Sequence, residues 1–351
     1  MLNPMTREPN TGRMSFYYSV FPSSFACRVS AALLVAFWQN PAFFISCQRQ
    51  EQDLQPAKRQ IYIQWRTNPT PEAMDLFFFD TLSPQYLDSY QQVSGWDEEH
   101  DAYGFSCMGA KRIVALSALP GDPGRWASIG TYSDICKTSF SLEQDSPEHP
   151  LLAGEIKLED GVSRQAALPV NTLLSAIRIR SVSCDFSGRP YAGEVFNNTL
   201  IYLQYAGKES LPLGAGDGAP VSYLNAGRLD STAVMALPRP DMILQAGLGE
   251  IGKERIYPDR LFHCYANPVR EASLGTPLTR IVLEGDLAGH HCYYPIELPG
   301  LERACSYELD ITLLRMGAAD PDTPVRSDTV SLATHVLPWD TREATIIKYK
   351  R

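Results

Sequence analysis

The sequence predicts an all-β fold arranged as two β-sandwich domains in tandem. Three observations carry that prediction. From Gln60 onward apolar residues recur with a period of two, the spacing that places them on one face of a strand. Gly, Pro, Asp and Asn interrupt these runs at short intervals, as in ALPGDPGRW and LPRPDM, which is the punctuation of strands joined by turns. No long stretch carries its apolar residues at helical spacing.

Taken in order, the chain opens with a stretch unlike the rest. Arg28 precedes VSAALLVAFWQNPAFFIS, an apolar run broken by Gln39, Asn40 and Pro41, a break that is costly in a membrane span. Residues 1–46 therefore read as an export signal, and the sequence leaves open whether translation starts at Met1 or Met14. The run ends in FFISC. A small residue followed by Cys at this place is what bacterial lipoprotein signal peptidase recognises, so Cys47 is the expected lipid-bearing residue, with Phe44 standing where Leu is usual. The polar stretch QRQEQDLQPAKRQ that follows reads as a tether over 47–59.

The folded body begins with IYIQW, where Ile61, Ile63 and Trp65 share one face. In MDLFFFD, Met74, Leu76 and Phe78 oppose Phe77 and Phe79. KRIVALSAL, EIKLED, LSAIRIRSVSCDF, NTLIYLQY, LTRIVLEGDL, CYYPIEL, YELDITLLR, VSLATHVL and ATIIKY continue the series. The Gly-rich PLGAGDGAP interrupts it, and the expected domains are 60–208 and 209–351.

The formal net charge is −9 and most charge clusters mix signs, which excludes the basic footprint that nucleic acid requires. The eight cysteines form no CxxC pair, so zinc ribbons and dithiol redox motifs are excluded, and their wide scatter argues against a dense disulfide scaffold. In GHHCYYPIELPG the contiguous His290, His291 and Cys292 suggest a metal site. On a strand, however, His291 opposes both neighbours, and three successive residues cannot close around one ion. A structural hairpin is expected, with Cys292, Tyr294, Ile296 and Leu298 on one face.

GLGEIG satisfies the GxGxxG spelling, but Pro258 follows too soon for the helix that a dinucleotide loop needs. The histidines at 100, 149, 263 and 335 are isolated. Asp75 and Asp80 flank an aromatic strand, where solvated strand ends account for them. No GxSxG elbow, HExxH motif, phosphate loop or tight pair of carboxylates on one element is present, so no catalytic residue, metal or cofactor is expected.

MDLFFFD after a first strand, then HCYANP with TRIVLEGDLAGHHCYYPIELPG, then YELDITLLRMGAADPDTPV followed by HVLPW, resemble in order the fimbrial subunits and fimbrillin-like lipoproteins of Bacteroidales-type bacteria. The resemblance covers most of the chain after Cys47 and is most specific in the C-terminal half. It implies transthyretin-like sandwich domains, a lipid anchor in the cell outer membrane, and assembly with other fimbrial subunits by strand addition. It also implies that an Arg-specific protease removes the acceptor's first strand. Here that strand is QIYIQWR, with Arg66 at its end and Arg59 just before it. VSLATHVLPW is the expected donor, carrying Val330, Leu332 and Val336 on one face and ending in Trp339. Host or bacterial surface molecules are further expected partners. The alternative is a surface glycan-binding lipoprotein, for which the 17 Tyr and 5 Trp would supply a sugar platform.

Overall fold

The computed structural model of the chain describes residues 58–65, 73–94, 102–108, 111–117, 125–159, 165–213, 219–326 and 328–339, with the backbone alone for 58–65, 102–108 and 165–166. The expected signal segment, Cys47, the tether up to residue 57, Arg66 and the ATIIKY run lie outside the described residues. In chain order the elements are β1 (Lys58–Trp65), β2 (Met74–Phe79), β3 (Leu87–Val93), β4 (Ala102–Met108), β5 (Lys111–Ser117), α1 (Tyr132–Lys137), β6 (Phe140–Ser141), β7 (Leu152–Leu158) and β8 (Gln165–Thr172). They continue with β9 (Leu174–Cys184), β10 (Phe196–Gln204), β11 (Ala206–Ser210), β12 (Ser222–Leu224), α2 (Ser231–Met235), β13 (Leu244–Ala246), β14 (Arg260–Tyr265), β15 (Thr279–Leu287), β16 (His290–Leu298), β17 (Cys305–Leu313) and β18 (Val330–Pro338). The fold is all-β.

The N-terminal sheet runs β3-β2-β5-β7-β8-β1-β4. Its aromatic strand β2 is buried along its whole length because, Asp75 apart, it is apolar on both faces. Met74, Leu76 and Phe78 enter one core with Ile113, Ala115, Leu168 and Val170. Phe77 and Phe79 face the other way, into a larger core with Val114, Leu116, Ile135 and Phe140. Each such burial contributes about 1.5–3 kcal/mol. The cover on that second face includes α1, which starts where Thr131 accepts from the Asp134 amide and Asp134 accepts from the Thr131 amide, a capping box.

The C-terminal part has a seven-stranded sheet, β12-β11-β14-β9-β17-β18 with β6 added beside β11, and a four-stranded sheet, β13-β10-β15-β16. Ile177, Ile179, Phe262, Leu309 and Ile311 of the first share one core with Phe196, Ile201, Leu203, Ile281, Leu283 and Tyr294 of the second. In LSAIRIRSVSC the apolar alternation changes phase after Ile179. The pairing explains it: Leu309 lies beside Ile179 and Asp310 beside Ser181, so Arg180 is the extra residue of a bulge that returns Val182 and Cys184 to the core.

Apart from β6, which already pairs with β11, the strands pass from the N-terminal sheet to the others at Leu173, between β8 and β9; the boundary expected from the sequence is at 208 and 209. The Gly-rich stretch that suggested the boundary connects two strands that pair with each other, Ala206 beside Leu224 and Gly207 beside Tyr223. Strands β3, β4, β8 and β14 were not anticipated from the apolar pattern. Among these, β3 is exposed from Asp88 to Gln92, which leaves no alternation to read.

Candidate assembly site

The two strands singled out for assembly occupy opposite kinds of position. β1 is an interior strand. It runs parallel to β8, with Ile61, Ile63 and Trp65 beside Ala166, Leu168 and Val170, and antiparallel to β4, with Ile61 beside Phe105. Leu168 and Val170 are buried in the smaller core. Arg59 is the second residue of β1, and Arg66 follows its last residue.

Among the described residues β18 lies at a sheet edge and pairs with β17 alone, from Leu313 beside Val330 to Cys305 beside Pro338. Val330, Leu332 and Val336 stand opposite Leu313, Ile311 and Tyr307, the buried side of β17, so they share one face as expected. Only the first two reach the core. Val330 and Leu332 are partly buried against it, whereas Val336 is 55% exposed and Leu337 is 45% exposed.

Polar contacts also tie β18 down. Asp310 on β17 accepts from Arg180 of β9 and from the Ser181 hydroxyl, and the Arg180 guanidinium lies 3.0 Å from the His335 ring of β18. The guanidinium holds the Asp310 carboxyl down at about 2. Beyond the strand, the Trp339 amide donates to the Ala304 carbonyl at 2.8 Å, and the indole lies 5.4 Å from the ring of His263. Sequence reading missed that contact, because the two residues are distant in the chain.

GHHCYYPIELPG forms the expected hairpin, with positive φ at Ala288 and Gly289 making its two-residue turn. Cys292, Tyr294, Ile296 and Leu298 are buried together, while His291 points outward between Asp286 at 2.8 Å and Glu284 at 3.2 Å. Asp286 raises its pKa, with Glu284 adding to the effect. GLGEIG contains no helix: Ile251 bridges to Phe196, and the Gly252 carbonyl accepts from the Cys184 amide.

RMGAADP, residues 315–321, follows β17 and is held in place by its own contacts. Arg315 pairs with Asp328, and Asp320 accepts from the amides of Asp322 and Thr323. A side chain on Gly317 would fall 2.4 Å from the Tyr293 carbonyl oxygen. Asp75 corrects an expectation. It is buried within β2, not a solvated strand end, and accepts from Tyr90, Gln92 and Trp126 at 2.7, 3.1 and 2.8 Å. Its polarity hid a core position whose cost those donors offset.

No family model matches the sequence, and no curated protein does so. The fold is shared with solved structures. A candidate cell adhesion protein from Parabacteroides distasonis ATCC 8503 superposes with a TM-score of 0.59 at 14% identity, covering 81% of this chain and 98% of that one. A candidate cell adhesion protein from Bacteroides eggerthii DSM 20697 gives 0.56 at 14% identity, over 82% and 97%. A fimbrilin from Porphyromonas gingivalis W83 gives 0.55 at 14% identity, over 80% and 98%.

Proposed function

We propose that the chain is a structural or adhesive subunit of a bacterial surface fimbria, exported as a lipoprotein bearing its lipid on Cys47 and joined to other subunits by strand addition at the outer membrane. The observation that carries this reading is the contrast between an interior first strand and an edge-located, largely exposed last strand. Loss of β1 would leave backbone groups of both β8 and β4 without partners, a groove that a strand from another copy can fill. Cleavage after Arg66 frees all of β1, whereas cleavage after Arg59 leaves Gln60–Trp65 in the sheet. Arg66 is therefore the productive site.

The donor is β18, whose alternating Val330, Leu332 and Val336 match the period an acceptor needs. The shared fold with a fimbrilin and with candidate adhesion proteins supports the reading. For the glycan-binding alternative, Tyr202, Tyr265 and Tyr294 are fully buried side chains of the core and unavailable to a sugar, whereas Tyr86, Tyr90 and Tyr257 are exposed. The test is deletion of the chain from Val330 onward. The shortened protein is expected to be exported and folded but absent from detergent-resistant ladders; ladders at the normal level would exclude β18 as the donor.

A further inference from the structure

We propose that Trp339 is a latch: its indole, laid over the imidazole of His263, holds β18 against its own sheet and closes the joint where the 139–149 segment meets that sheet. β18 needs such a device, because its core-facing contacts end at Leu332 and its residues from Ala333 to Pro338 are exposed. Among the described residues β17 is the one strand that β18 pairs with, and a strand held along one edge opens readily at its ends.

The way to His263 is built from small side chains. One row across the sheet reads His263 on β14, Ala176 on β9, Ser306 on β17 and Leu337 on β18. Ala176 and Ser306 are the small residues of that row; Trp339, whose amide bonds to Ala304 and whose side chain also packs against the core, places its indole 5.4 Å from the imidazole at an interplanar angle of 32°. His263 itself is buried, 6% exposed. Around it stand Glu148 from the N-terminal part and Arg239, Asp241 and Arg178 from the C-terminal part, with Arg239 bridging Glu148 at 2.5 Å and Asp241 at 3.0 Å. Lifting Trp339 thus uncovers a histidine that sits where the two parts of the chain are pinned together.

The latch needs no second copy of the chain; its use in assembly rests on the strand-addition reading, in which Trp339 leaves His263 whenever β18 is donated. The full chain in detergent is tested by hydrogen exchange and by diethylpyrocarbonate modification of His263. In Trp339→Ala, residues 330–338 are expected to exchange about tenfold faster, the scale of a lost aromatic contact, and His263 to become modified, with 279–298 unchanged. Trp339→Phe is expected to keep most of the protection. Unchanged exchange over 330–338, or a rise shared equally by 279–298, overturns the latch. Ladder formation measured on the same variants separates the two ideas, because an opened β18 with unaltered ladders supports the latch while removing β18 as donor.

Discussion

β1 and β18 are near in length and both carry alternating apolar residues, yet among the described residues one is locked between two strands and the other hangs from one. Position in the sheet, not composition, separates them. An interior strand satisfies its backbone on both edges, so its removal strands the donors and acceptors of two neighbours. An edge strand leaves only one neighbour short. The same pattern of residues can therefore serve as a keystone at one end of a fold and as a detachable arm at the other.

The largest effect should come from breaking the keystone. A chain beginning after Arg66 is expected to lose more than about 4 kcal/mol against urea, the range reached when a whole network of buried contacts is removed. Excess synthetic peptide VSLATHVLPW should recover part of that loss by binding only the folded form. A truncated chain as stable as the full one would show that β1 is dispensable and that no groove forms.

A second experiment addresses the joint between the regions. Burial lowers the pKa of His263 from 6.5 to about 4 and raises that of Asp145 from 3.8 to about 7. His263 stays neutral in the folded state while the unfolded chain takes up a proton, so its contribution falls as pH drops from 6.5 through 4. Asp145 keeps its proton when folded, so its contribution is present below 3.8 and falls as pH rises through 7. The two oppose each other over nearly the same window. In the parent chain the slopes should largely cancel. His263→Gln is expected to leave a protein that weakens as pH rises from 4 to 7, and Asp145→Asn one that strengthens, each by roughly 3 kcal/mol at most. Urea midpoints across that range check it; slopes of the same sign in both variants would contradict the assignment.

MDLFFFD, the hairpin ending in CYYPIEL, and YELDITLLR were visible in the sequence because their burial is one-sided or complete and regular. Those it hid have a physical reason. LDSYQQV lies on an edge and is exposed from Asp88 to Gln92, so only its ends, Leu87 and Val93, meet the cores and no alternation is left between them. Asp75 is a carboxylate in the interior, made tolerable by donors from Tyr90, Gln92 and Trp126, which one sequence window cannot reveal. The parallel pairing of β9 with β17, and the meeting of His263 with Trp339, join residues far apart in the chain, and local periodicity contains no information about such partners.

The smallest expected change in stability sharpens the contrast most. Val336 faces the core side of β17 through its partner Tyr307 but is 55% exposed, so replacing it by Asp removes little buried surface and strands no polar group. Val336→Asp should alter the urea midpoint of the monomer by no more than about 0.5 kcal/mol, as for surface substitutions away from special features. In an acceptor groove, however, position 336 would stand where β1 stands now, beside a strand whose Leu168 and Val170 are buried, and a carboxylate buried there without a partner is costly. Assembly should therefore fail while folding does not. Ladder analysis of secreted Val336→Asp, set beside its urea curve, decides the matter: normal ladders would mean that this face of β18 never enters another subunit, and a large fall in monomer stability would mean that Val336 already supports its own domain.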